Sequence, residues 1–113
     1  LYERGGYTEE AIQSYLKALD LNPDEELVYL FLSTRYLLKG AYDDAVKICL
    51  GGIERFPRAE RLHFNLGYAL AQKQDYDKAI EEFQREIEIS PQCSEAYFNI
   101  DIAKRQKAKS LQT

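Results

Sequence analysis

His63 is the one histidine of the chain, and Cys49 and Cys93 are its two thiols. Acid–base or nucleophilic catalysis needs a base beside a nucleophile, and a zinc site needs several Cys or His ligands at short paired spacing. Neither pattern is present. No Ser or Cys lies near His63 in sequence, and the two cysteines are not spaced as a ligand pair. The neighbouring carboxylates Asp43-Asp44 and Glu81-Glu82 would point about 100° apart on a helix, so neither pair shares one site, and both are expected on a solvated face. Gly51-Gly52 lacks the glycine spacing and the Lys-Ser/Thr of a phosphate loop. No catalytic residue, cofactor or metal is predicted. Cys49 is expected to be a buried, inert thiol and Cys93 to lie in the turn after Pro91, with no disulfide between them. Free thiols favour a reducing compartment, and a cytoplasmic location is the expectation.

The elements that position these residues repeat along the chain. Pro23, Pro57 and Pro91 fall 34 residues apart, and Ala11, Ala45 and Ala79 keep the same spacing in the same phase. Four residues after each Ala come Tyr15, Cys49 and Phe83, and three further on Ala18, Gly52 and Glu86. Leu32-Ser33 matches Leu66-Gly67, and Tyr2, Tyr36 and Leu70 form another column. Ile100-Asp101 opens a fourth unit, and His63 falls in the column of Tyr29 and Tyr97, where half-buried packing is expected. Within residues 8–21 the apolar positions step by three and four, which builds one buried helical stripe, and residues 77–89 repeat it. Gly5-Gly6, Gly40 and Gln74-Asp75 mark tight turns between paired helices. Each proline disfavours helix in the residue before it, so Asn22, Phe56 and Ser90 are the predicted breaks between repeats. Small residues at Ala11, Ala45, Ala79, Gly52 and Gly67 predict close approach of neighbouring helices.

Several columns at one exact period resemble the tetratricopeptide repeat family over nearly the whole chain. The resemblance implies an all-α fold, a right-handed α-α superhelix of helix-turn-helix repeats with a concave groove. Its expected divisions are a partial repeat over 1–25, repeats over 26–59 and 60–93, and a capping helix over 94–109, all in one domain. It also implies that the first helix of each pair lines the groove. That places Leu27, Leu30, Phe31, Thr34 and Leu38 there from one repeat, and Arg61, Phe64, Asn65, Tyr68 and Gln72 from the next. The capping helix adds Glu95, Phe98, Asn99 and Ile102. Leu30, Phe64 and Phe98 share a column and would form an apolar ladder. Asn65 and Asn99 share another, and a carboxamide ladder would clamp the main chain of an extended peptide. The clamp by which some members capture acidic chaperone tails is not reproduced. Starting from the second repeat, the matching positions are Leu30, Thr34, Asn65, Glu95 and Asn99, of which only Asn65 fits; a frame starting one repeat earlier places its first pair before Leu1 and continues with Phe31, Arg61 and Asn65, and stays open.

Composition bounds the partner. The net charge of −4 offers no field for a phosphate backbone, so nucleic acid is not expected. No apolar stretch approaches a membrane span, so direct membrane insertion is not expected either. Lys104, Arg105, Lys107 and Lys109 read as cations favoured at the end of a terminal helix. Since Lys104 replaces Tyr36 and Leu70, no helix is expected to pack beyond it. With no Met and with Leu1 in the last turn of a first-repeat helix, the chain is expected to be an excerpt. The function expected is a scaffold that holds a protein or peptide in a largely apolar groove. The alternatives are a self-assembly module forming homo-oligomers, and the regulatory or docking part of a larger enzyme.

Overall fold

The computed structural model describes residues 5–112, with side chains from Thr8 onward, so Tyr2 lies outside the described residues. Six helices follow one another: α1 (Gly5–Leu21), α2 (Glu26–Lys39), α3 (Tyr42–Arg55), α4 (Leu62–Gln72), α5 (Tyr76–Ile89) and α6 (Ser94–Leu111). Gly5 and Gly6 begin α1 instead of forming a turn, and α6 runs two residues beyond 109.

The punctuation is local chemistry repeated at the 34-residue period. Gly40 adopts φ 82° and donates its amide to Leu37 O at 3.1 Å, while Ala41 N reaches Tyr36 O at 2.9 Å. This is the left-handed helix stop that glycine accommodates without strain. One period later Gln74, at φ 70°, makes the same bond to Ala71 O, and Asp75 N reaches Leu70 O. A non-glycine residue holds that conformation at some cost. Before each proline the helix ends on one last amide bond: Asn22 to Ala18 O, Phe56 to Gly52 O and Ser90 to Glu86 O. The residue six after each proline then ties the next helix back to it. Tyr29 Oη donates to Pro23 O at 2.7 Å, Tyr97 Oη to Pro91 O at 3.3 Å, and His63 Nε2 lies 3.0 Å from Pro57 O.

Small residues set the depth of packing. Ala45 and Ala79 are fully buried. A Cβ added to Gly52 would lie 2.8 Å from Leu62 Cδ1 and 2.9 Å from Tyr29 Cβ, and one on Gly67 would lie 2.8 Å from the Phe83 ring. The core divides accordingly into one cluster around Tyr29, Ala59 and Leu62 and another around Phe64, Ala79, Phe83 and Ala96. Each helix packs on the next. In addition α2 touches α4 and α4 touches α6, while among the described residues α1, α3 and α5 make no such contacts with one another. The even-numbered helices therefore converge and the odd-numbered ones splay, which curves the stack and leaves its hollow on the α2, α4 and α6 side. The molecule measures 46 × 30 × 22 Å.

Candidate functional site

Three adjoining hollows run along the convergent face. The first, about 320 Å³, lies between α2 and α4 and is lined by Leu30, Phe31, Thr34, Arg35, Arg61 and Asn65. The second shares Thr34 and adds Leu37, Leu38, Phe64 and Tyr68. The third shares Tyr68, adds Gln72 at the end of α4 and reaches α6 at Asn99, Ile102 and Ala103. Of the residues expected in the groove, Leu27, Glu95 and Phe98 are outside these hollows, and all three are well exposed.

The apolar ladder is interrupted. Phe64 is only 7% exposed and belongs to the core: its ring centroid is 5.4 Å from that of Phe83, and the Arg61 guanidinium lies 4.1 Å above its centre. Arg61 is held there by Glu95 Oε1 at 2.7 Å, with a weaker contact to Cys93 Sγ at 3.8 Å. Leu30 is half-buried, so Phe98 alone of that column stands well into solvent. The reason is the small Gly67 opposite Phe83, which draws α4 deep into the stack and takes Phe64 with it.

The asparagines are also engaged inside the fold. Asn65 is 5% exposed, and its Nδ2 donates to Ser33 Oγ at 2.9 Å and Thr34 Oγ1 at 3.2 Å. Both hydroxyls donate onward to Leu30 O. Both amide hydrogens of Asn65 are used, so it bridges α4 to α2 rather than presenting donors to the groove. Asn99 Nδ2 donates to Glu95 O, one turn back in its own helix.

Two acids are placed where the sequence did not put them. Glu82, expected in water, is 13% exposed, with one oxygen 2.8 Å from His63 Nδ1 and the other accepting from Arg85 at 2.6 Å. Glu86 is 1% exposed and accepts from Arg61 N at 2.9 Å and Phe64 N at 3.2 Å. It caps α4 from the neighbouring helix, where the positive helix end favours an anion and no side chain of Arg61 caps locally. The same bond holds Arg61 at φ 77°. Its sequence signal was a carboxylate in the column of Ala18 and Gly52, on the stripe of Ala79 and Phe83.

The remaining candidates are quiet. Cys49 is fully buried, and burial pushes its thiol up to about 12. Cys49 and Cys93 are both free thiols. In the basic cluster, Lys107 pairs with Asp77 and Arg105 with Asp101, each at 2.7 Å. Among the described residues no helix is long and apolar enough to cross a membrane, and no cluster of potential metal ligands forms.

Residues 40–92 match one tetratricopeptide repeat family model, and residues 1–25 match a second. No curated protein sequence matches the chain. Among solved structures it is similar to a crystal structure of MamA, with a TM-score of 0.85 and 22% identity over 91% of this chain and 60% of that one. A second crystal structure of MamA gives 0.82 and 23% over 95% and 60%. MamA 41-end from Desulfovibrio magneticus RS-1 gives 0.80 and 19% over 93% and 60%. The chain thus spans about 60% of the length of these structures, and at such identities the likeness is one of fold. The two family models and the right-handed α-α superhelix agree: the chain belongs to the tetratricopeptide repeat family.

Proposed function

We propose that the chain is a non-catalytic protein-interaction scaffold that docks a partner segment in the hollow between α2, α4 and α6, largely through apolar contacts. The observation that carries this reading is the exposure of Phe31 (44%), Leu38 (59%) and Ile102 (36%) in the lining of these hollows, with Phe98 (65%) outside them on α6. Apolar side chains grouped in that way favour a protein contact over water. Leu30, Thr34, Arg61, Tyr68 and Asn99 form the walls around them, and Phe64 and Asn65 support the floor from within. The free thiols fit a reducing compartment such as the cytoplasm.

The test compares the immobilised parent with a Phe31→Ser, Leu38→Ser, Phe98→Ser variant, both checked for helicity by circular dichroism. A protein retained by the parent and lost by the folded variant supports groove docking. Equal retention moves the contact to another face. A second reading, self-assembly, draws on Leu16 (37%) and Leu21 (74%), exposed on α1, which packs only on α2 among the described elements. Mass by light scattering that rises with concentration in parent and groove variant alike would favour it.

A further inference from the structure

His63 departs from its repeat column in a way that changes the chemistry of the joint. Tyr29 and Tyr97 each have one hydroxyl hydrogen and give it to the carbonyl of the preceding proline. An imidazole has two nitrogens. Nε2 of His63 lies 3.0 Å from Pro57 O, and Nδ1 lies 2.8 Å from Glu82 Oε1. Carbonyl and carboxylate oxygens have no hydrogen to give, and neutral imidazole carries only one N–H. In the neutral form one of these contacts would set a nitrogen lone pair against an oxygen lone pair. The imidazolium satisfies both. The side chain is 9% exposed, which leaves little room for water to replace a lost partner.

The groups facing the ring favour that positive charge. From α5 come the carboxylates Glu82 and Glu86. Arg85, also on α5, binds the far oxygen of Glu82 and offsets part of its charge. Cys49 on α3 also feels Glu82, and its thiol stays neutral and adds no charge there. The turn before α4 supplies the Pro57 carbonyl.

We propose that His63 is a doubly protonated clamp at neutral pH, tying α5 to the turn that enters α4, and that its deprotonation loosens the joint between the second and third repeats in alkaline solution. The bond to Glu82 raises the titration of His63 above its ordinary 6.5, against the opposing effect of burial. A basic group raised in the folded state contributes stability that is complete below its unfolded value. That contribution is lost as pH climbs through the folded value. The window therefore opens near 6.5 and extends to the alkaline side. Because Arg61 sits at the start of α4 and Asn65 and Tyr68 lie on it, loosening its entry would disturb the groove, but the clamp stands on its own geometry and not on the docking proposal.

Since His63 is the only histidine, its imidazole signals need no assignment. A nitrogen-15 NMR titration of the whole chain should show both ring nitrogens protonated at about pH 7 and a midpoint above about 6.5. Thermal unfolding against pH would be compared with His63→Tyr, which installs the residue of the column and keeps the donor to Pro57 O without titrating in this range. The parent should lose stability relative to that variant as pH rises, by about tenfold in the folding equilibrium for each unit separating the folded and unfolded titrations. Glu82→Gln should lower the NMR midpoint. A neutral tautomer at about pH 7, a midpoint at or below about 6.5, or parallel pH profiles for parent and His63→Tyr would each overturn the proposal. If His63→Tyr does not fold, the NMR titration decides alone.

Discussion

Glu86 sits in a column that elsewhere holds Ala18 and Gly52, and its carboxylate reaches the amides of Arg61 and Phe64. Removing it leaves two buried donors at the start of α4 without their anion and opens space beside them. Glu86→Ala should therefore cost about 2–4 kcal/mol in urea unfolding. Glu86→Gln, which keeps an acceptor for one amide, should cost less. Faster hydrogen exchange confined to Arg61 and Phe64 would identify the cap as the cause; unchanged stability of the Ala variant would refute it. The Glu86 role was not legible in the sequence, because a lone acid on an otherwise apolar stripe says that it needs a partner without saying which. Its donors lie 22 and 25 residues away and meet it only when the helices stack.

At the scale of elements, two adjacent glycines of α3 separate helix propensity from packing. Both lie inside the helix, where Ala is favoured over Gly by about 1 kcal/mol. A Cβ at Gly51 would meet only Tyr29 Cε1 at an ordinary 3.9 Å, so Gly51→Ala should raise stability by about 0.5–1 kcal/mol. A Cβ at Gly52 would press on Tyr29 Cβ and Leu62 Cδ1 at under 3 Å, and Tyr29 Cβ cannot move without its backbone. Gly52→Ala should therefore lower the thermal midpoint, with overpacking of about 1–3 kcal/mol exceeding the propensity gain. Opposite signs for two neighbouring substitutions are the check. The close approach at Gly52 was readable from its column. The turns were readable at Gly40, whereas Gly5 and Gly6 proved helical, since glycine permits a turn without requiring one.

Over the whole molecule, curvature decides which apolar side chains support the stack and which face water. Phe64 and Phe98 stand 34 residues apart in one column, yet they are 7% and 65% exposed. Phe64→Ser should destabilise the chain by about 3–5 kcal/mol, as truncation of a core ring does. Phe98→Ser should fall within about 0.5 kcal/mol and leave helicity intact. Circular dichroism melts of the two variants test this directly, and equal effects would mean that the column has one role. In a stack where each unit touches only its neighbours, such a loss at the third repeat weakens both of its joints.

The sequence by itself determined the period, the helix pairs, the breaks before each proline and the places of closest packing. Each of these is written in residues close together in the chain and copied at a fixed spacing. The tertiary structure alone decided where the copies cease to be equivalent. It buried Phe64 under Arg61, turned Asn65 inward to Ser33 and Thr34, and brought Glu82 to His63 and Glu86 to the start of α4. Those partners belong to different helices, so their pairing depends on how one repeat rotates onto the next, and a column read along the chain contains no such angle.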